Sequence, residues 1–193
     1  MASLIDTSYF IGDIEVTNAN QGSIKTDLEN SIALYEKEVL IALLGYPMYK
    51  DLQTAIGAPV SGDKWDKLIN GAEFSFTLDG ETVTLYWEGL KGLSKKSLIA
   101  YYTYFMHRRK RASYMAGVQT EVEAEAENAN VTSLAEKLQY VWNEFVTMYG
   151  DSCIEDEHDN ADASAYNYIL ANAADFENWK FTSQGGDINR LGI

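Results

Sequence analysis

The chain is poor in the residues that build reactive centres: 193 residues contain one cysteine, two histidines and two prolines. Cys153 alone excludes an internal disulfide framework and any zinc site made from several cysteines, and it fits a reducing compartment. With so little histidine and cysteine, acid–base work would fall to carboxylates. No carboxylate pair stands in the apolar setting that separates an acid from a base. The chain also lacks a phosphate-binding glycine loop, a GxSxG elbow and an HExxH helix. An enzyme is therefore not expected, nor is a cofactor. Long apolar runs are missing too. The longest mixed stretch, around Val39 to Leu44, falls far short of the ~18 residues of a membrane span, and the opening MASLIDTSYFIGDIEV lacks the basic start and continuous apolar core of a secretory signal. A soluble protein without a membrane partner is expected. Positive charge is scarce, with 15 Lys and Arg against 29 Asp and Glu, a net charge of −14 and a pI near 4.4. Such a surface as a whole does not grip a polyanion, because phosphate contacts come from Lys and Arg.

Against that acidic background one stretch stands out, WEGLKGLSKKSLIAYYTYFMHRRKRASYMAGV from Trp87 to Val118. Leu98, Tyr101, Tyr102, Phe105, Arg109 and Ala112 recur at the spacing of one helical face. Ile99, Ala100, Tyr104 and Met106 fill most of the remaining circumference, and a helix apolar nearly all round has to be covered on several sides. The expectation is a mainly α protein, a helical bundle around a central aromatic helix at about 94–115, with one small β-hairpin at about 73–86 and extended terminal arms. A chain of this length supports one core and a single domain, 1–193. Residues 1–25 read as an N-terminal arm, 26–179 as the helical core and 180–193 as a C-terminal arm.

In chain order, Leu4, Ile5, Tyr9, Phe10, Ile11, Ile14 and Val16 are scattered apolar positions that need a partner surface to become ordered. Thr26 or Asp27 is placed to cap a helix from Leu28 to Leu44, with Leu28, Ile32, Tyr35, Val39 and Leu43 on one side and Gly45 as its stop. A short helix follows from Tyr46 through Met48, Leu52 and Ile56. Asp63 is placed to cap another, with Trp65, Leu68 and Ile69 inward. Phe74 to Leu78 and Thr82 to Tyr86 flank Asp79-Gly80, the dipeptide of a tight hairpin turn. Two strands alone are marginal in water, so this hairpin should pack on a helix or join a neighbouring subunit. Ser94 is a candidate cap of the central helix and Gly117 its stop. Glu121, Glu123, Glu125 and Glu127 then fall in a surface loop. Leu134, Leu138, Val141, Phe145 and Met148 mark a further helix ending at Gly150, and a last one runs through Tyr166, Ile169, Leu170, Ala173 and Phe176 to Trp179.

Two clusters carry charge that chemistry would use. EDEHD at Glu155 to Asp159 is rich in hard-metal ligands, yet it lacks the glycine and the twelfth-position glutamate of a calcium loop, and it reads as a solvated acidic connection with His158 exposed. His107 precedes Arg108, Arg109, Lys110 and Arg111. Cations are favoured at a helix C-terminus, but four in succession repel one another unless acidic groups neutralise them. From Lys91 to Arg111 there is no acidic residue. Pairing of this block with acidic protein surface outweighs a nucleic-acid grip, which normally sits in a basic field. Tyr101, Tyr102, Tyr104 and Phe105 read as core, not as a base-stacking platform.

The order of these elements, a helix ending in LLGYPMY, a short helix with LINGAEF, a hairpin, YWEGLKG, the stretch LIAYYTYFMHRRKRASYMAGVQTEVEAEAEN and a helix with WNEF, resembles the head-tail connector, adaptor or head-completion (neck) proteins of tailed bacteriophages and prophages. The resemblance spans about residues 28–150 and rests on element order and texture. It implies a structural subunit of the virion neck, made in the bacterial host cytoplasm, that forms a homo-oligomeric ring of about a dozen copies beneath the portal protein. The ring would extend the DNA channel, pass DNA without sequence-specific binding, and offer a platform to tail or tail-adaptor proteins. Arg108, Arg109, Lys110 and Arg111 are then expected at a subunit or portal interface, and Glu121, Glu123, Glu125 and Glu127 on an acidic channel or neighbour surface. The alternative is a small nucleic-acid-associated helical protein that uses the His107–Arg111 block as its grip.

Overall fold

A computed structural model of the chain describes residues 3–56, 64–78, 81–115, 134–150 and 163–184. The elements are α1 (Gly22–Leu44), α2 (Tyr46–Ile56), α3 (Lys64–Asn70), β1 (Ala72–Leu78), β2 (Glu81–Trp87), α4 (Leu98–Met115), α5 (Leu134–Tyr149) and α6 (Ala165–Ala171). The protein is mainly α-helical around α4, with one two-stranded antiparallel hairpin.

α4 is the axis of the bundle. Every residue from Leu98 to Phe105 is buried, as is His107, so the all-round apolar pattern is matched by cover on several sides. α1 and α5 supply that cover. Tyr35 meets Tyr102 edge-on with ring centroids 6.3 Å apart, and Ser31 reaches His107, so α1 runs antiparallel to α4. Trp142 packs on Phe105 at 4.6 Å, Phe145 on Tyr102 at 5.1 Å, and Lys96 pairs with Glu144, so α5 is antiparallel as well. Trp142, Phe145 and Tyr149 continue as a ladder of tilted rings along α5. The antiparallel order gives the bundle two dissimilar poles. One gathers the start of α4, the ends of α1 and α5, and the hairpin; the other holds the end of α4 and the starts of α1 and α5.

Element boundaries depart from the sequence pattern where local hydrogen bonding decides them. α1 begins at Gly22, six residues before Leu28, and neither Thr26 nor Asp27 caps it; its N-cap is Gln21, without a side-chain bond. α4 begins at Leu98, not near Ser94, because Lys95 adopts a left-handed φ of 64°. Ser97 does the capping instead: its hydroxyl accepts from the Ile99 N–H at 3.2 Å and donates to the Leu90 carbonyl at 2.7 Å. The last helix stops at Ala171, well short of Trp179. There the Asn172 side-chain amide donates to the Tyr168 carbonyl at 2.8 Å, and a 3-10 turn, Ala173–Asp175, follows. Asp63, Asp79-Gly80 and Gly117 lie outside the described residues.

The hairpin is seated on α6 by its base. Phe74 meets Tyr168 edge-on at 5.5 Å, Trp87 stacks on the same ring at 5.9 Å, and the Trp87 indole N–H donates to the Leu68 carbonyl at 3.0 Å. Gly89, at φ 86°, lies so close to α3 that a Cβ would stand 2.5 Å from the Ile69 carbonyl oxygen. Gly150 is equally constrained, since a Cβ there would stand 2.5 Å from that of Tyr166. The register pairs Phe74 with Leu85 on the covered side, and Glu73 with Tyr86 and Ser75 with Thr84 on the other.

Both terminal segments find their partner surface within this chain. Leu4, Ile5, Phe10, Ile14, Val16 and Ala19 are buried in the common core, and two 3-10 turns, Thr7–Tyr9 and Gly12–Ile14, shape the segment. Glu36, a residue only 6% exposed, anchors it by accepting hydrogen bonds from the Ser3 hydroxyl and the Leu4 N–H. At the other terminus the Trp179 indole donates to the Leu43 carbonyl at 2.6 Å, and the Thr182 N–H to that of Ala42 at 2.9 Å. The Tyr149 hydroxyl in turn donates to the Thr182 carbonyl at 2.7 Å. Residues 185–193 lie outside the described residues.

Two stability predictions follow from these buried polar groups. Burial raises the Glu36 pKa above 4.5, outweighing the bonds from Ser3, Leu4 and Ile5 and the attraction of Lys91. The folded chain then holds this proton more tightly than the unfolded chain, so the contribution of Glu36 to stability falls as pH rises above that value. Glu36→Gln is expected to gain on the wild type as pH climbs from about 4.5 towards neutrality; denaturation curves whose separation stays constant over that range would contradict this. Thr103, fully buried in α4, has a hydroxyl oxygen with no hydrogen-bond partner among the described residues. Thr103→Val should raise stability by about 1 kcal/mol, read from the urea midpoint at unchanged m-value.

Candidate functional site

The site marked by the sequence is the basic end of α4, and the helix delivers its members to different environments. Arg108 turns back one helical turn: its guanidinium lies over the Tyr104 ring, 5.6 Å from the centroid, and its Nε–H donates to the Tyr104 hydroxyl at 3.3 Å. The Lys137 ammonium of α5 lies over the same ring at 5.7 Å. Arg108 is thus engaged within the bundle. Arg109 and Lys110 are exposed, and among the described residues no salt bridge reaches Arg109. Arg111 belongs to α4, but its side chain lies outside the described residues. So do Glu121, Glu123, Glu125, Glu127, Cys153, His158 and the Glu155–Asp159 cluster.

His107 separates from the cations it precedes in sequence. It points inward and is 4% exposed, with Nδ1 2.9 Å from the Ser31 hydroxyl. That hydroxyl gives its own proton to the Asp27 carbonyl at 2.9 Å, so Nδ1–H is the donor to Ser31. His107 therefore ties α4 to α1 and takes no part in a basic surface.

The polar contacts that the sequence reading missed are equally internal. Glu36 lies in the i, i+4 row Leu28, Ile32, Glu36, Leu40, Leu44, so its apolar position was readable from spacing. The Tyr102 hydroxyl donates to Glu38 at 2.7 Å, and burial raises its pKa with help from that bond. Burial likewise pushes the Tyr101 and Tyr168 phenols up to about 12, so these rings pack and stay neutral. Lys96 is held by Glu144 at 2.5 Å, chiefly through their hydrogen bond, which raises the lysine pKa.

At the opposite pole a cleft of about 230 Å³ opens between the base of the hairpin and the end of α5. Tyr86, Trp87, Glu88, Lys96, Leu98 and Met148 line it. Among the described residues no three metal-ligating side chains converge, and no helix is long and apolar enough to cross a membrane.

Comparison with protein-family models, curated proteins and solved structures finds no match.

The different settings of the neighbouring arginines are testable. Arg108→Ala should cost about 0.5–1 kcal/mol through loss of the cation–π contact, whereas Arg109→Ala should stay within about 0.5 kcal/mol of wild type. Equal losses at the two positions in chemical denaturation would refute the distinction.

Proposed function

We propose that this chain is a non-enzymatic structural subunit of a tailed-phage neck, assembling as a ring below the portal, extending the DNA channel and offering a platform for tail attachment. The observation that carries the reading is the placement of Arg109 and Lys110, which stand exposed on a helix whose preceding turns are sealed in the core. The helix holds these cations at a fixed place on the surface, and a rigid charged projection on an acidic protein suits contact with acidic protein surface. A head-to-tail ring needs two different patches on each copy, and the two poles of the bundle differ in structure. The large acidic surplus suits a channel through which DNA slides, since it is the reverse of phosphate neutralisation. Partners in this reading are further copies of the chain, the portal and tail-adaptor proteins, with DNA passing through the lumen and no cofactor.

Replacement of Arg109 and Lys110 by glutamate is expected to abolish both ring formation and capture by purified portal, measured by mass, while the far-ultraviolet helical signal is kept. Rings of normal size from that variant would overturn the assignment. DNA binding by the wild type that falls steeply with salt would replace it with a nucleic-acid role.

A further inference from the structure

The exposed face of the hairpin sets a carboxylate across the strands from a phenol. Glu73 and Tyr86 are direct cross-strand partners, and both are exposed, Tyr86 by 44%. Glu88 lies two residues beyond Tyr86 and is exposed as well, and Tyr86 and Glu88 border the cleft of about 230 Å³. Lys96, on the wall of that cleft, is already paired with Glu144. A carboxylate beside an open phenol ring binds a guanidinium twice over, by ion pairing and by cation–π attraction. The chain uses the aromatic half of this chemistry internally, in Arg108 over Tyr104, Lys64 over Trp65 and Lys95 over Tyr9. From Gly71 to Leu90 the sequence contains Glu73, Asp79, Glu81 and Glu88 and no Lys or Arg.

We infer that Glu73 and Tyr86 receive Arg109 of a second copy of this chain, so that the acidic hairpin of one subunit docks on the basic end of α4 of the next. This rests on the reading of the chain as a self-assembling subunit and goes beyond it by naming both halves of the contact. Charge complementarity selects the occupant: the hairpin segment from Gly71 to Leu90 carries only negative charge, and Arg109 and Lys110 are exposed cations at the end of α4, whereas Lys91, Lys95 and Lys96 stand at the hairpin's own pole. Geometry excludes the same pairing within one chain. Leu98 lines the cleft, and Arg109 lies eleven residues further along α4, about 16 Å down the helix axis at 1.5 Å per residue and beyond the reach of its side chain. A donor at one pole and its acceptor at the other give a heterologous contact that propagates from copy to copy.

The test is a charge-swap cycle on the full chain, with self-association followed by sedimentation over a concentration series. Glu73→Arg and Arg109→Glu should each weaken association by about tenfold or more, because each places like charges face to face. The combined Glu73→Arg/Arg109→Glu chain should return to within about threefold of wild type, since the swapped pair is again opposite in sign. Both residues are exposed, so circular dichroism and melting temperature should be unchanged throughout. Wild-type association by the Glu73→Arg chain overturns the inference, as does a double variant no better than the single ones. Loss of association on neutralising Glu121, Glu123, Glu125 and Glu127, with Glu73→Arg silent, would assign the acceptor to that acidic segment instead. A wild type that remains monomeric at every concentration also overturns the inference, and portal capture then decides the neck reading separately. Conversely, a successful swap with open chains and no portal capture supports this contact and sinks the neck reading.

Discussion

The encasement of α4 is the constraint on which the rest of the structure depends. Tyr104 of α4 and Phe145 and Tyr149 of α5 are fully buried, and burying a large side chain contributes roughly 1.5–3 kcal/mol. A helix apolar on nearly all sides gains this only when both flanks are occupied, which fixes α1 and α5 in antiparallel positions around it. The same encasement determines what the helix can offer to anything else. Its flanks are taken from Leu98 to Phe105, and exposure begins at Arg109.

Polar contacts accompany that aromatic packing at defined positions. The Ser31–His107 bond joins α1 to α4 at one offset, and the Lys96–Glu144 pair joins α5 to the segment that leads into α4. Glu36 plays the equivalent part for the N-terminal segment. A buried carboxyl is costly unless its lone pairs are filled, and Ser3 and Leu4 fill them only when the segment lies in one place. The apolar side chains hold the arm down, and the carboxyl selects where it lies.

Much of this was written in the sequence in periodic form. The hairpin followed from apolar runs flanking Asp79-Gly80, the central helix from LIAYYTYF, and the end of α1 from Gly45. What escaped was non-periodic. Ser97 rather than Ser94 caps α4 because Lys95 turns the chain, and neighbouring serines give no sequence signal to separate them. The terminal segments lack a repeating pattern, so only tertiary contact could reveal that they fold onto their own chain. His107 was grouped with the arginines by adjacency, yet successive helical residues point about 100° apart, and this one turns inward to α1. Arg108 was the more legible case, because its spacing of four from Tyr104 already places the two side chains on one face.

The C-terminal segment, clipped to the last turn of α1, also bears on how the molecule is made. Trp179 and the Leu43 carbonyl that it meets are separated by 136 residues, while a chain leaves the ribosome from its N-terminus. The closing turn of α1 thus waits, its carbonyls served by water, until residues 179–182 have been synthesised. Closure of the bundle at this end of α1 therefore follows the synthesis of α5 and α6.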